Sequence, residues 1–361
     1  MPNMNRRSYL ALLTAGLAGC TGGGEGTSTL TETPTGTPTT TATPTATPAG
    51  EPTPTETETP EPTETEEPTP APEEIASEHI VAAEDHLATA VETYVGFAGD
   101  DAAWLDVDGS VSVDPSRLSD ALLDMRFELS EARDHAVDEQ ADQIDALDHL
   151  REFLELVAQA SAGAHDVTTS LRAAVDAAIT ENFDQMASHR EATQQSLSTL
   201  GSDIDELSST AQPDAAEATD VLSTEDYTKK IDQLASVHED AGAVISGIGP
   251  MDDAMDDFSG GADAYYEEEY RTASTLFFGA KSTYADVKED LSSDVAAAVS
   301  GVVGDARAYV STLRTAAEHM VEAADSTGDW KPEHAARDVL RKSDLIEKSP
   351  TVSELLEYLE S

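Results

Sequence analysis

One cysteine occurs in 361 residues. No internal disulfide can form, and no Cys/His zinc pattern exists. Asparagine is nearly missing. Asn3, Asn5 and Asn182 complete the set, and none opens an Asn-x-Ser/Thr sequon, so N-glycosylation is not expected. Positive charge is scarce: 20 Lys+Arg face 72 Asp+Glu, a formal net charge of −52. Such a surface repels phosphate backbones and anionic membrane faces, which excludes nucleic acid as a partner. Aromatics make up only 5% of the chain, and few aromatics with high charge is also a signature of disorder. Regular apolar spacing after position 75 argues against disorder for most of the chain. Catalytic signatures are missing too. There is no Gly-x-Ser-x-Gly, no phosphate-binding loop and no Gly-x-Gly-x-x-Gly after a strand. No His-x-x-x-His, His-Glu-x-x-His or Glu-x-x-His occurs, and the last is the spacing that di-iron carboxylate bundles carry twice. No metal and no cofactor are expected.

What is present starts at the amino terminus. Arg6-Arg7 precedes a short apolar run from Tyr9 to Leu17, interrupted by Thr14 and Gly16. Spanning a bilayer takes about 20 apolar residues, and this run has roughly half. Positive charge, a short apolar core and small residues before a cut site form a secretory signal. Asn5-Arg6-Arg7-Ser8-Tyr9-Leu10 resembles a twin-arginine export signal, with Asn5 where Ser or Thr is more usual. Leu17-Ala18-Gly19-Cys20 resembles a lipobox, the cleavage site of bacterial and archaeal lipoproteins. The resemblance implies a signal peptide over 1–19, a lipid on the Cys20 sulfur, and cleavage that leaves Cys20 as the new amino terminus. Ala18 and Gly19 suit a narrow peptidase pocket. One lipid chain anchors weakly and two anchor well, at about 0.8 kcal/mol per buried methylene. The implied location is the outer face of the cell membrane, lipid-anchored and extracellular.

Residues 20–72 are Thr, Pro, Glu, Gly and Ala with almost no large apolar side chain. They read as a disordered linker, extended by proline and by like charges. Tracts of threonine with proline also suit O-glycosylation. About 50 residues at roughly 3.1 Å each reach on the order of 150 Å. The tract is either a spacer that lifts a domain off the membrane or a tolerated linker. The acid excess needs its own explanation, because solubility asks for a net charge of only about 2–8. Self-repulsion opposes compaction at low salt, and a Debye length of roughly 3 Å at 1 M screens it. The composition resembles that of proteins from salt-loving archaea.

From Glu73 onward the apolar period is helical. Ile75, His79, Val81, Ala82, Leu87, Val91, Tyr94 and Val95 lie broadly on one face. A break covers Gly96 to Pro115. Leu118 to Ala136 and Ile144 to Val157 repeat at three and four. Val167, Leu171, Val175, Ile179, Phe183 and Met186 read as one continuing stripe, and Leu197 to Leu207 extend it. Gln212-Pro213 is the clearest breakpoint. Helical spacing resumes over Tyr227–Ile248, a hairpin is expected over Met251–Leu291, and an Ala/Val helix runs to about Asp325. Two short helices start near Pro332 and Pro350, where proline suits a first turn. The expected fold is all-α: a bundle over 73–212 and a second helical region over 213–361, arranged as one or two bundles or a short array.

One segment, "ADAYYEEEYRTASTLFFGAKSTY", resembles a tetratricopeptide unit. Ala264-Tyr265-Tyr266 matches the end of its first helix, and Tyr270, Ala273, Phe277 and Ala280 match its second. The turn is one residue short, and Glu269 replaces the usual glycine. The resemblance implies a helical hairpin and a peptide-binding role, with Tyr265, Tyr266, Tyr270 and Phe277 as candidate groove residues; core packing is the alternative for the same aromatics. Asp106, Asp108, Ser110 and Asp114 offer oxygen ligands, but the twelve-residue calcium spacing is missing and Asp108-Gly109 is a turn signal. The histidines next to acids, among them His86 and His149, read as surface residues. The leading functional reading is a membrane-anchored extracytoplasmic lipoprotein whose helical domain binds a peptide, protein or envelope partner. An envelope hydrolase and a solute-capturing transporter subunit are the alternatives.

Overall fold

The computed structural model describes residues 70–291, 294–326, 330–343 and 348–360. Arg6, Arg7, Leu17, Ala18, Gly19, Cys20 and the linker to residue 69 lie outside the described residues. Pro72 opens α1 (Pro72–Val95), one residue before the expected boundary. Its missing N–H falls where no intrahelical partner exists, and the Glu74 carboxylate accepts from the Ala71 N–H at 3.2 Å. Ala76, Ile80, Ala83, Leu87, Ala90 and Tyr94 form its buried stripe. The Gly96–Pro115 break contains two short 3-10 segments, Trp104–Asp106 and Pro115–Leu118.

α2 (Ser119–His135) returns alongside α1. The pairing is antiparallel: Gln140, just past its end, donates to Ser77 Oγ at 2.9 Å and the Glu73 carbonyl at 3.2 Å. α3 (Asp138–Ile179) has 42 residues, about 63 Å at 1.5 Å per residue. It is the mast of the fold, buried on more than one side: α1, α2 and the later helices over Phe183–Thr210, Thr224–Gly247 and Ala297–Asp325 pack along it. The expected stripe from Val167 to Met186 is interrupted, because the chain reverses at Thr180–Asn182. The Asn182 N–H reaches the Ala177 carbonyl at 2.8 Å and the Glu181 N–H reaches Ala178 at 3.2 Å, a Schellman-type stop. Glu181 takes the left-handed position at φ 56°. Asn182 then caps α4 (Phe183–Thr210), accepting from the Gln185 N–H.

The Gln212-Pro213 breakpoint is a 3-10 segment, Pro213–Ala218, and α5 (Thr224–Gly247) follows behind a Ser223 cap. α6 (Met251–Tyr266) and α7 (Tyr270–Asp290) form the expected hairpin, α8 (Ala297–Asp325) packs on α7, and α9 (Trp330–Leu340) and α10 (Pro350–Glu360) close the chain. The fold is all-α, with no strand among the described residues. One apolar core runs from Ile80 to Leu355 and is shared by 73–212 and 213–361. Phe153 of α3 stacks on Tyr227 of α5 with ring centroids 3.5 Å apart. Among the described residues no helix is long and apolar enough to cross a membrane.

Candidate functional site

Three places concentrate chemistry or exposed apolar surface. The first is the α6–α7 hairpin. Its two helices approach closely because Gly261 carries no Cβ; a Cβ there would sit 3.0 Å from the Phe277 ring. Phe277 is fully buried, edge-on to Phe258 at 5.4 Å, with Ala273 and Ala280 buried beside it. Of the four candidate groove residues, Phe277 therefore lies in the interior. Tyr265, Tyr266 and Tyr270 gather at the turn end, with Tyr265 and Tyr270 in T-shaped contact at 5.4 Å. Tyr265 is buried, and Tyr266 and Tyr270 are half-buried. Tyr358 of α10 lies over them, 4.2 Å from Tyr266 and 6.5 Å from Tyr265. The Tyr265 hydroxyl donates to the Glu333 carboxylate of α9. Burial, then the Glu333 hydrogen bond and charge, push the Tyr265 hydroxyl well above the usual tyrosine range.

The second place was not anticipated from the sequence. Lys230 of α5 is fully buried. Its ammonium donates to the Val107 carbonyl at 2.7 Å and to Gln233 Oε1 at 2.8 Å. Gln233 in turn donates to the Leu105 carbonyl at 2.7 Å. The rings of Tyr94 and Trp104 each lie 5.4 Å from Nζ, within cation–π range. Trp104 Nε1 donates to the Asp226 carbonyl at 3.2 Å, and the Tyr94 hydroxyl pairs with Ser161 Oγ at 2.7 Å. Burial lowers the Lys230 pKa to about 8, against the opposing pull of the Asp108 and Asp106 carboxylates. A buried amine near neutrality is a pattern seen at active sites, but Nζ has no exposed surface and both its acceptors belong to the fold. It fastens the Trp104–Asp108 loop to α5. The available signal was its register, since Lys230 sits three residues after Tyr227 and four before Leu234, on the apolar stripe.

The same loop answers the calcium alternative. Asp108 Oδ1 accepts from the Ser110 N–H at 2.8 Å and from its hydroxyl, so the carboxylate closes its own turn. Gly109 presses against α3: a Cβ there would lie 3.0 Å from Thr168 Oγ1 and 3.2 Å from the Ala164 carbonyl. The turn expected at Asp108-Gly109 is present, without strands on either side. Among the described residues no group of three or more His, Cys, Asp or Glu is placed to hold a metal ion. The histidines beside acids are half-buried and not gathered. His79, which follows Glu78, shares a hydrogen bond of 2.6 Å with Glu128 across α1 and α2.

The third place is a groove of about 410 Å³ between α2 and α3, floored by Leu118, Leu122 and Ala158 and bordered by Leu123, Arg126 and Arg151. Arg151 is committed to Asp148 at 2.8 Å and Glu155 at 3.3 Å. Arg126 is exposed and has no partner among the described residues. Leu123 and Phe127, one turn apart, are 63% and 60% exposed. The His79–Glu128 pair ties α1 to α2, and Val81 of α1 is 56% exposed. No histidine lines the groove, and Ser116 spends its hydroxyl on Asp114 at 2.7 Å. The arrangement offers apolar contact and one open cation. Compared with known proteins, the chain matches no family model, no curated protein and no solved structure.

Proposed function

We propose that this protein is an exported lipoprotein, held on the outer face of the cell membrane through Cys20, whose helical domain binds a protein or peptide partner through the exposed strip of α2 and the α2–α3 groove beside it. The observation that carries the binding reading is the strip formed by Leu123 and Phe127. Two large apolar side chains one turn apart, each more than half exposed, form an apolar patch beside a groove within the usual range for binding sites. Arg126 adds a positive point on a chain of net charge −52, suited to an acidic group on the partner. The anchor rests on the Arg6-Arg7 and Leu17–Cys20 motifs, and the Thr/Pro tract would set the distance between membrane and domain.

Affinity capture with the full chain from cell envelopes in high salt tests the binding role. The partner recovered by the native chain should be lost with Leu123→Asp/Phe127→Asp and kept with Phe278→Asp, an exposed apolar residue on α7. Equal recovery with both variants rejects the α2 strip. Cys20→Ser should block lipid attachment and release the protein from the membrane. Unchanged retention and processing reject the anchor.

A further inference from the structure

The cover over Tyr265, Tyr266 and Tyr270 is a short helix with unusual properties. α10 reads Pro-Thr-Val-Ser-Glu-Leu-Leu-Glu-Tyr-Leu-Glu. Val352, Leu355, Leu356 and Leu359 fall at i, i+3, i+4 and i+7, the pattern of a helix that lies in a groove. Val352 and Leu355 are fully buried. Eleven residues are too few for a stable isolated helix. Glu354, Glu357 and Glu360 add like charges three apart, which weaken it further. Its helical state therefore depends on the surface beneath it.

The attachment is sparse. α10 has its main helix contact with α9, a slight one, and makes few contacts elsewhere, whereas α9 itself packs firmly on α8. At the first turn, the Glu181 carboxylate accepts from the Ser349 hydroxyl and from the Thr351 N–H at 2.9 Å. At the last turn, Arg341 holds Glu360 at 2.6 Å. Between them Tyr358 lies on Tyr266, and the fit is imperfect there. The Tyr266 hydroxyl is buried with no hydrogen-bond partner among the described residues. A buried donor without a partner carries a desolvation penalty, which undocking relieves by admitting water.

We propose that the Tyr265–Tyr270 face is a docking site for a short acidic amphipathic helix, that α10 occupies it in the resting chain, and that a helix of the same chemistry binds when α10 lets go. The recognition elements are the Glu181 carboxylate for the incoming helix's first-turn N–H, the tyrosine cluster for an aromatic near its last turn, and Arg341 for a terminal acid. This surface is separate from the α2 strip and the α2–α3 groove, and the two stand or fall independently.

The probe is a labelled synthetic peptide of residues Ser349–Glu360, titrated into the full-length protein. Self-occupancy divides the dissociation constant by the open fraction and so weakens the apparent affinity. Tyr358→Ala and Leu355→Ala loosen the cover and leave the receptor face intact. Each should bind the peptide at least about ten-fold more tightly than the native chain. Adding Tyr266→Ala to Tyr358→Ala should abolish the gain. Hydrogen exchange supplies the second measurement: α10 amides should exchange faster in Tyr358→Ala, while α6, α7 and α8 keep their protection. Two results overturn the proposal: no gain in either variant that retains that protection, or peptide binding that survives Tyr266→Ala.

Discussion

Replacing Lys230 by methionine gives a readout in the slope of stability against pH. In the unfolded chain the lysine keeps its ordinary pKa of 10.5, and in the fold burial lowers it to about 8. Between those values the unfolded state binds the proton and the folded state does not, so stability rises with pH. Below about pH 8 both states are protonated and the full penalty of the buried charge is present. Above 10.5 neither is protonated and the penalty is gone. At about 1.36 kcal/mol per pH unit, the gap is worth about 3 kcal/mol. The neutral amine retains two N–H groups, enough for the Val107 carbonyl and Gln233 Oε1, so the loop stays fastened as it deprotonates. Other titrating groups are common to both proteins and cancel in the difference. Urea unfolding at fixed high salt should therefore show the native chain gaining about 2–3 kcal/mol on Lys230→Met between neutral pH and pH 10. Parallel curves would refute the reasoning. A difference of opposite sign would show that Asp106, Asp108 and the two rings outweigh burial.

Gly109→Ala places a methyl against the Ala164 carbonyl and Thr168 of the α3 mast. Overpacking of that kind costs about 1–3 kcal/mol, read as a lower urea midpoint, with Trp104 fluorescence reporting the displaced loop. Glu268 and Glu181 both hold left-handed backbone, at φ 61° and 56°. Glycine should stabilise at 268 by about 1 kcal/mol, because it removes that strain. At 181 the same change also removes the carboxylate that holds Ser349 and Thr351, so the gain should vanish in thermal unfolding and α10 should exchange faster. Raising salt from roughly 0.1 M to 1 M shrinks the Debye length from about 10 Å to 3 Å. The urea midpoint should climb across that range, and a flat response would remove self-repulsion as the reason for the acid excess.

Much of the helical layout was legible because buried faces repeat at three and four. The α6–α7 hairpin, the Ala/Val helix α8 and the proline-started α10 stand where the periods place them. The reversal at Thr180–Asn182 was not legible, because the spacing Ile179, Phe183, Met186 carries straight through it. The stop comes from Glu181 adopting a glycine-like backbone, which composition does not announce. Asn182 was the available clue, as a capping residue ahead of Phe183. Lys230 was hidden for a different reason. Its burial depends on carbonyls at Leu105 and Val107, more than 120 residues upstream, and on a glutamine one turn later. The hairpin tyrosines were visible as a cluster, but their cover was not, since Tyr358 is linked to Tyr266 only by the fold. Leu123 and Phe127 follow the helical period of α2 without being buried by it.

The order of α10 after α6 and α7 along the chain has a consequence during synthesis. The tyrosine face is complete once α6 and α7 have been made, but Tyr358 follows 88 residues after Tyr270. At about 5–20 residues per second, the face waits roughly 4–18 s for its own cover. Each newly made molecule therefore passes through an interval in which that surface is bare. A helix of the proposed chemistry present during that interval would meet it before α10 exists to compete.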